Sequence, residues 1–259
     1  MNLVQLPPAG SIGAASVFAL FGALVGSYLN VVVYRLPRGL STAWPASHCP
    51  SCRQPIRPWH NVPVFGWLWL RGRCPDCGER ISLRYPVAEA LVAGLFFLCW
   101  LWSSSRVEAV AAAALASLLV VLAQLDWEHR ILPLILTLPA AGLALAVQPW
   151  LPWATWRGAL AGLAVALGVW IAARAWRRAR GGEGLADGDP ALIAVLGAAL
   201  GGLTVVKLSV VAFVGTLAVW AARRVTGASD APSAAIPLGT PLSIVGLLAL
   251  LLELRGAIG

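Results

Sequence analysis

Four of the five cysteines fall in two pairs, Cys49-Pro-Ser-Cys52 and Cys74-Pro-Asp-Cys77, with 21 residues between them. Each pair aims two thiolates at one centre. Two such pairs complete a closed tetrahedral four-sulfur site suited to zinc, with no coordination position left open for chemistry, so the metal expected here is structural. Disulfide or redox use of the same cysteines is the alternative, disfavoured wherever thiols stay reduced. His48 abuts the first pair as a substitute ligand, but four sulfurs suffice without it. Cys99 lies in an apolar run and reads as a small buried hydrophobe.

A second chemistry is suggested by the acids, of which there are only 11. Asp126 closes one apolar run in Ala-Gln-Leu-Asp126-Trp-Glu128-His129-Arg130, and Asp189 opens another in Ala186-Asp187-Gly188-Asp189-Pro190. Taken singly, each has a plain structural role: Asp189 before Pro190 suits a helix N-cap with Pro in the first helical position, and Asp126 suits an interfacial helix end. Taken together they suggest more. Two carboxylates held close cannot both ionise easily, so one keeps a proton while the other polarises water, the division of labour that hydrolyses peptide bonds. Glu128 and Asp187 compete for the same roles.

The elements that must carry these residues are membrane helices. The 259-residue chain is 59% hydrophobic and 12% charged, against roughly 45–50% and about 25% in soluble domains. Apolar runs lie at about 10–34, 87–102, 108–125, 131–149, 157–173, 190–203, 205–222 and 237–254. At about 20 residues per span, they predict an all-α polytopic membrane protein with about eight transmembrane helices. The 190–222 stretch is nearly continuous and reads as one long helix or two short ones meeting near Gly201-Gly202. The first run lacks a basic segment before it and a small-residue cleavage site after it, which favours a retained helix over a signal peptide.

Between Arg35 and Arg84 the character changes to Pro, Arg, Trp and the paired cysteines. The expected organisation is a first transmembrane helix over 1–34, a small four-cysteine zinc-binding domain over 35–85 and a membrane domain over 86–259. A polar loop of this size buries little core, so zinc supplies much of its folding free energy. Trp59, Trp67, Trp69 and Phe65 are expected to pack on the cysteine pairs or at the bilayer interface. The Arg223–Pro241 stretch reads as a loop without an assigned role.

Charge sets the orientation. Alternate threading puts all but four of the 19 Lys and Arg residues on the side of the cysteine domain, leaving Arg106, Arg157, Lys207 and Arg255 opposite. The positive-inside rule makes that crowded side cytoplasmic and puts the N-terminus outside. Arg clusters that bind anionic lipid headgroups predict the same topology. The membrane setting argues against nucleic acid as a partner of the basic zinc module. A proton-coupled transporter is disfavoured because no internal repeat is visible and the acids gather at one membrane face, away from the midplane.

The stretch Gly26-Ser-Tyr-Leu-Asn30-Val-Val-Val-Tyr34-Arg35-Leu-Pro37, both cysteine pairs, His60-Asn61-Val-Pro63, Leu70-Arg71-Gly72-Arg73-Cys74, Arg84-Tyr85-Pro86-Val-Ala-Glu89 and Gly188-Asp189 resemble bacterial prepilin peptidases in order and spacing, over about residues 15–205. The resemblance implies a multi-pass aspartic protease of the bacterial inner membrane, also called a type IV leader peptidase. Such enzymes remove the short basic leader of type IV prepilins and pseudopilins just after a glycine. Many then methylate the new N-terminus with S-adenosylmethionine. The resemblance assigns Asp126 and Asp189 as the catalytic pair and places methyl transfer in the cytoplasmic cysteine domain, where no Gly-rich nucleotide loop is visible.

Three positions depart from the family pattern. Leu134 follows Pro133 where Asp is usual, Ala191 replaces a Lys two residues after the second aspartate, and Ala186 replaces the first Gly of G-x-G-D. None removes a proposed catalytic carboxylate. They motivate an alternative, a catalytically weakened paralogue that binds pilin-like helices or other assembly components.

Overall fold

A computed structural model describes residues 11–180, 188–225 and 238–256. Among the described residues the eight apolar runs form eight helices, and a further, one-turn helix lies in the polar segment. In chain order the helices are α1 (Ile12–Arg35), α2 (Phe65–Trp69), α3 (Arg84–Trp102), α4 (Arg106–His129), α5 (Leu134–Ala146), α6 (Trp156–Arg180), α7 (Gly188–Leu200), α8 (Gly202–Val225) and α9 (Gly239–Gly256). Ala186, Asp187 and the 226–237 part of the Arg223–Pro241 stretch lie outside the described residues.

Five of the described helices are long and apolar enough to cross a membrane: those beginning at Ile12, Arg84, Arg106, Trp156 and Gly239. Three are shorter apolar helices, Leu134–Ala146, Gly188–Leu200 and the Gly202–Gly215 part of α8. The ambiguity near Gly201 resolves as two helices. Gly201 adopts φ +87°, a left-handed turn that glycine makes without Cβ strain, and its N–H bonds the Gly197 carbonyl at 2.9 Å.

The chain divides into two compact units, Met1–Ser117 and Leu118–Gly259. In the first, α1 packs along α3. Gly22 and Gly26 are one turn apart on α1, and a Cβ at Gly26 would stand only 2.9 Å from the Cα of Glu89. Such small residues let two backbones approach in a membrane, where exclusion of water cannot drive helices together. Phe18 adds ring contacts to Phe96 at 4.8 Å and Trp100 at 5.1 Å.

In the second unit α7 is the central element, touching α5, α6, α8 and α9, with every residue buried except Ala191 and Ala194. Its packing on α6 depends on two interlocking glycine pairs, Gly158 and Gly162 against Gly197 and Gly201. A Cβ at Gly197 would lie 2.6 Å from the Gly162 Cα, so no larger residue fits without separating the helices. On the opposite flank Gly246 of α9 receives Leu196, whose Cδ2 would meet a Cβ there at 2.5 Å. These contacts hold α7 against α6 and α9, and the first turns of α7 and α9 carry site residues.

Candidate functional site

The two cysteine pairs are built alike. In each, the first cysteine's N–H bonds a carbonyl five residues on, Cys49 to Gln54 at 3.0 Å and Cys74 to Glu79 at 2.8 Å. Each tight turn closes at a residue with positive φ, Arg53 at +60° and Gly78 at +73°. Single β-bridges flank both turns, His48 with Pro55 and Arg73 with Arg80. The four sulfurs lie within 4.8 Å of one another, with Cys49 Sγ 3.8 Å from Cys77 Sγ and Cys52 Sγ 3.9 Å from Cys74 Sγ. A tetrahedron with metal–sulfur arms of about 2.3 Å has edges of about 3.8 Å, so the set fits zinc. Disulfides, with sulfurs about 2.05 Å apart, are not formed.

The Cys52 backbone amide, directed at the Cys49 sulfur, is the main cause that holds this thiol down at about 7, which favours a thiolate ready for metal. His48 directs Nδ1 to its neighbour Ala46, with 3.2 Å to the carbonyl oxygen, and Cys99 is fully buried in α3. Of the aromatic residues expected to pack here, Trp67 does so: its indole N–H donates to the Ile81 carbonyl at 2.9 Å and its ring lies over Gly72. Trp59, Phe65 and Trp69 do not pack on the cysteine pairs and are exposed, which leaves the bilayer interface as the expectation that still stands for them.

Asp126 and Asp189 are both buried, 5% and 8% exposed. Asp126 sits in the last turn of α4, where unpaired carbonyls make the helix end unfavourable for a carboxylate. Thr240 supplies the compensation: its backbone N–H donates to Asp126 Oδ2 at 2.5 Å and its hydroxyl stands 2.9 Å from the same oxygen. The other oxygen, Oδ1, has no hydrogen bond among the described residues. The α4 helix then ends at Arg130, in the left-handed region at φ +54°, whose N–H bonds the Asp126 carbonyl at 2.9 Å.

Asp189 lies inside α7, which already includes Gly188, so it is not the N-cap with Pro190 first in the helix that the sequence suggested. Leu132 joins the two regions. A Cβ at Gly188 would collide with the Leu132 Cβ and carbonyl oxygen, while a Cβ at Gly239 would stand 2.7 Å from Leu132 Cδ1 and 3.0 Å from Asp126 Oδ2. Only glycine at 188 and 239 lets the start of α7, the start of α9 and the end of α4 meet around this leucine. Glu128 is turned toward its neighbour His129, with Oε2 3.9 Å from Nε2. Leu134 begins α5 and is 44% exposed; Ala191 lies in the first turn of α7.

Thr240 carried no sequence signal, because it lies in the stretch read as an unassigned loop and 114 residues from its partner. The one local cue was Gly239-Thr240-Pro241 at the start of an apolar run, the pattern of a helix start with Pro in its first turn.

The model of the bacterial peptidase A24 N-terminal domain matches residues 20–103, and that of the type IV leader peptidase family matches 113–222. A prepilin leader peptidase/N-methyltransferase of Myxococcus xanthus is 40% identical over 194 residues, covering 74% of this chain and 57% of that relative's own length. Proteins of the same name from Pseudomonas putida and Pseudomonas aeruginosa are 36% and 34% identical, covering 96% and 90% of this chain and 93% and 88% of their own lengths. No solved structure matches the chain.

Proposed function

The chain belongs to the type IV leader peptidase family, and on that premise we propose that it cleaves the leader from prepilins and pseudopilins with Asp126 and Asp189. The support for this pairing is the shared neighbour, since Gly188 beside Asp189 and Gly239 beside Asp126 both abut Leu132. One aspartate takes a proton from water as the oxygen attacks the scissile carbonyl. The other, protonated, donates to the carbonyl oxygen and the proton then passes to the leaving amine. Thr240 holds Oδ2 of Asp126 and leaves Oδ1 for water or the substrate carbonyl.

After cleavage the protein N-methylates the new N-terminus, the second activity in its relatives' names. S-adenosylmethionine supplies the electrophilic methyl group, and the 35–85 segment is its place of action. Zinc on Cys49, Cys52, Cys74 and Cys77 is structural there, consistent with four filled positions. The protein is a multi-pass membrane protein of the bacterial inner membrane, with the N-terminus outside and the 35–85 domain and both aspartates on the cytoplasmic side. The distribution of Arg supports this orientation. The substrate's basic leader is drawn to two acids, and its apolar helix stays in the bilayer. The remaining 86–259 segment is the peptidase domain.

The alternative of a weakened assembly protein is not favoured, because the relatives that match over nearly their whole length carry the peptidase name. Asp126→Asn and Asp189→Asn test the proposal: each is expected to abolish leader cleavage in membranes while insertion and zinc content stay unchanged. Retained cleavage by either variant refutes the pair.

A further inference from the structure

A cavity of about 430 Å³ in the first unit is lined by the end of α1, the start of α3 and both cysteine pairs. Its volume falls in the range of small-molecule sites, roughly 300–1,000 Å³. Two of its lining residues are opposite charges taken out of water, Arg35 at 7% and Glu89 at 8% exposure. Neither has an ion pair among the described residues. A buried charge without a counter-charge is costly, and a chain that keeps one of each sign on a single cavity is built for a ligand carrying both.

The backbone around these groups is arranged to hold them. Arg35 Nη1 donates to the Ser41 carbonyl at 3.0 Å, which orients the guanidinium without neutralising it. Glu89 Oε2 accepts the Val64 N–H at 2.6 Å. Val64 adopts φ +62° and is spanned by a bond from the Phe65 N–H to the Pro63 carbonyl at 2.6 Å, a γ-turn of the rare, strained hand. A β-branched residue does not take this conformation without cost, and strain of this kind persists where surrounding structure fixes a site. It delivers the Val64 N–H to Glu89. Asn30 Nδ2, also at the cavity, bonds the Tyr85 carbonyl at 3.2 Å and ties α1 to the start of α3.

We infer that this cavity is the methyl-donor site and that Glu89 and Arg35 bind the amino-acid head of S-adenosylmethionine, Glu89 at the α-ammonium and Arg35 at the α-carboxylate. This assignment rests on the N-methyltransferase reading above. Tyr34, Trp67 and Tyr85 in the same wall offer aromatic faces for the adenine ring. Recognition by two side chains and aromatic faces, without a phosphate-binding loop, agrees with a donor that carries no phosphate, and with the lack of a Gly-rich loop in this segment.

The test is equilibrium binding to the full chain in detergent, using S-adenosylmethionine, S-adenosylhomocysteine and decarboxylated S-adenosylmethionine. Arg35→Gln is expected to weaken S-adenosylmethionine about ten- to hundredfold, and to bind the decarboxylated compound as well as the unaltered protein does. Glu89→Gln is expected to weaken S-adenosylmethionine and S-adenosylhomocysteine by the same factor, because both keep the ammonium and only the first carries the sulfonium charge. Zinc stoichiometry reports that the domain is intact, and Arg35→Lys and Glu89→Asp replace any variant that loses its zinc. Equal loss of all three ligands in the Arg35 variant, loss confined to the two sulfonium compounds in the Glu89 variant, or undiminished binding by both would overturn the assignment and leave the methylation reading standing. If the unaltered protein neither binds S-adenosylmethionine nor methylates a processed pilin peptide, the methylation reading itself fails.

Discussion

The hydroxyl of Thr240 lies between two acceptors, 2.9 Å from Asp126 Oδ2 and 3.2 Å from the Ala123 carbonyl, and it has one proton to give. When Asp126 is ionised the proton serves the carboxylate. When Oδ2 is protonated, the hydroxyl can turn to Ala123 and accept from the acid instead. Thr240 therefore accommodates either protonation state of Asp126 without moving the backbone, as the proposed acid–base role of Asp126 would require.

Thr240→Val keeps the shape and the backbone N–H but removes the hydroxyl. The expected result is a fall in kcat for leader cleavage of about tenfold or more, the cost of one hydrogen bond to a charged group, with KM little changed. Thr240→Ser restores most of the rate. Steady-state kinetics on a prepilin substrate separate the two constants, and a purely structural role for Thr240 would instead lower the yield of inserted protein for both variants.

The glycine pairs predict a sharp contrast in tolerance. Gly197→Val places a side chain into the α6 backbone and is expected to abolish cleavage by shifting the start of α7, while the cysteine domain keeps its zinc. Gly142 in α5 has no atom within 4 Å of its missing Cβ. Gly142→Ala is expected to retain cleavage and to gain roughly 0.5–1 kcal/mol of stability from helix propensity, measured by denaturation in detergent.

Gly188→Ala probes the junction at Leu132 on which the proposed pairing of the two aspartates rests, because its Cβ collides with Leu132. Cleavage is expected to be lost, and Leu132→Ala in the same chain is expected to recover part of it by opening the space. Recovery in the double variant, measured by cleavage in membranes, distinguishes a steric cause from a requirement for positive φ, since Gly188 is helical.

Cys49→Ser is expected to lose the zinc and, with it, the fold of the 35–85 segment. Zinc analysis of the purified protein and limited proteolysis of that segment measure the two effects. Unchanged zinc content would refute the four-sulfur site.

The helices were legible in the sequence because the apolar runs are separated by short polar, Pro or Gly breaks and because hydropathy alone defines a membrane helix. The cysteine site was legible from spacing, since two C-x2-C turns specify a local geometry whatever surrounds them. The surroundings of Asp126 were not. Thr240 and Gly239 reach it across 114 residues through hydrogen bonds and a missing side chain, neither of which leaves a periodic mark. For Trp59 and Trp69 composition allowed two places, the cysteine pairs or the bilayer interface, and their exposure removes only the first: an indole favours either, and only the segment that carries it decides which way it faces.

A final consequence concerns the enclosure of α7. It packs against α5, α6, α8 and α9, with eleven of its thirteen described residues buried, so protein rather than lipid surrounds the turn that carries Asp189. The surroundings of that carboxylate are set by its helical neighbours, and a change in lipid composition reaches it only through the outer helices.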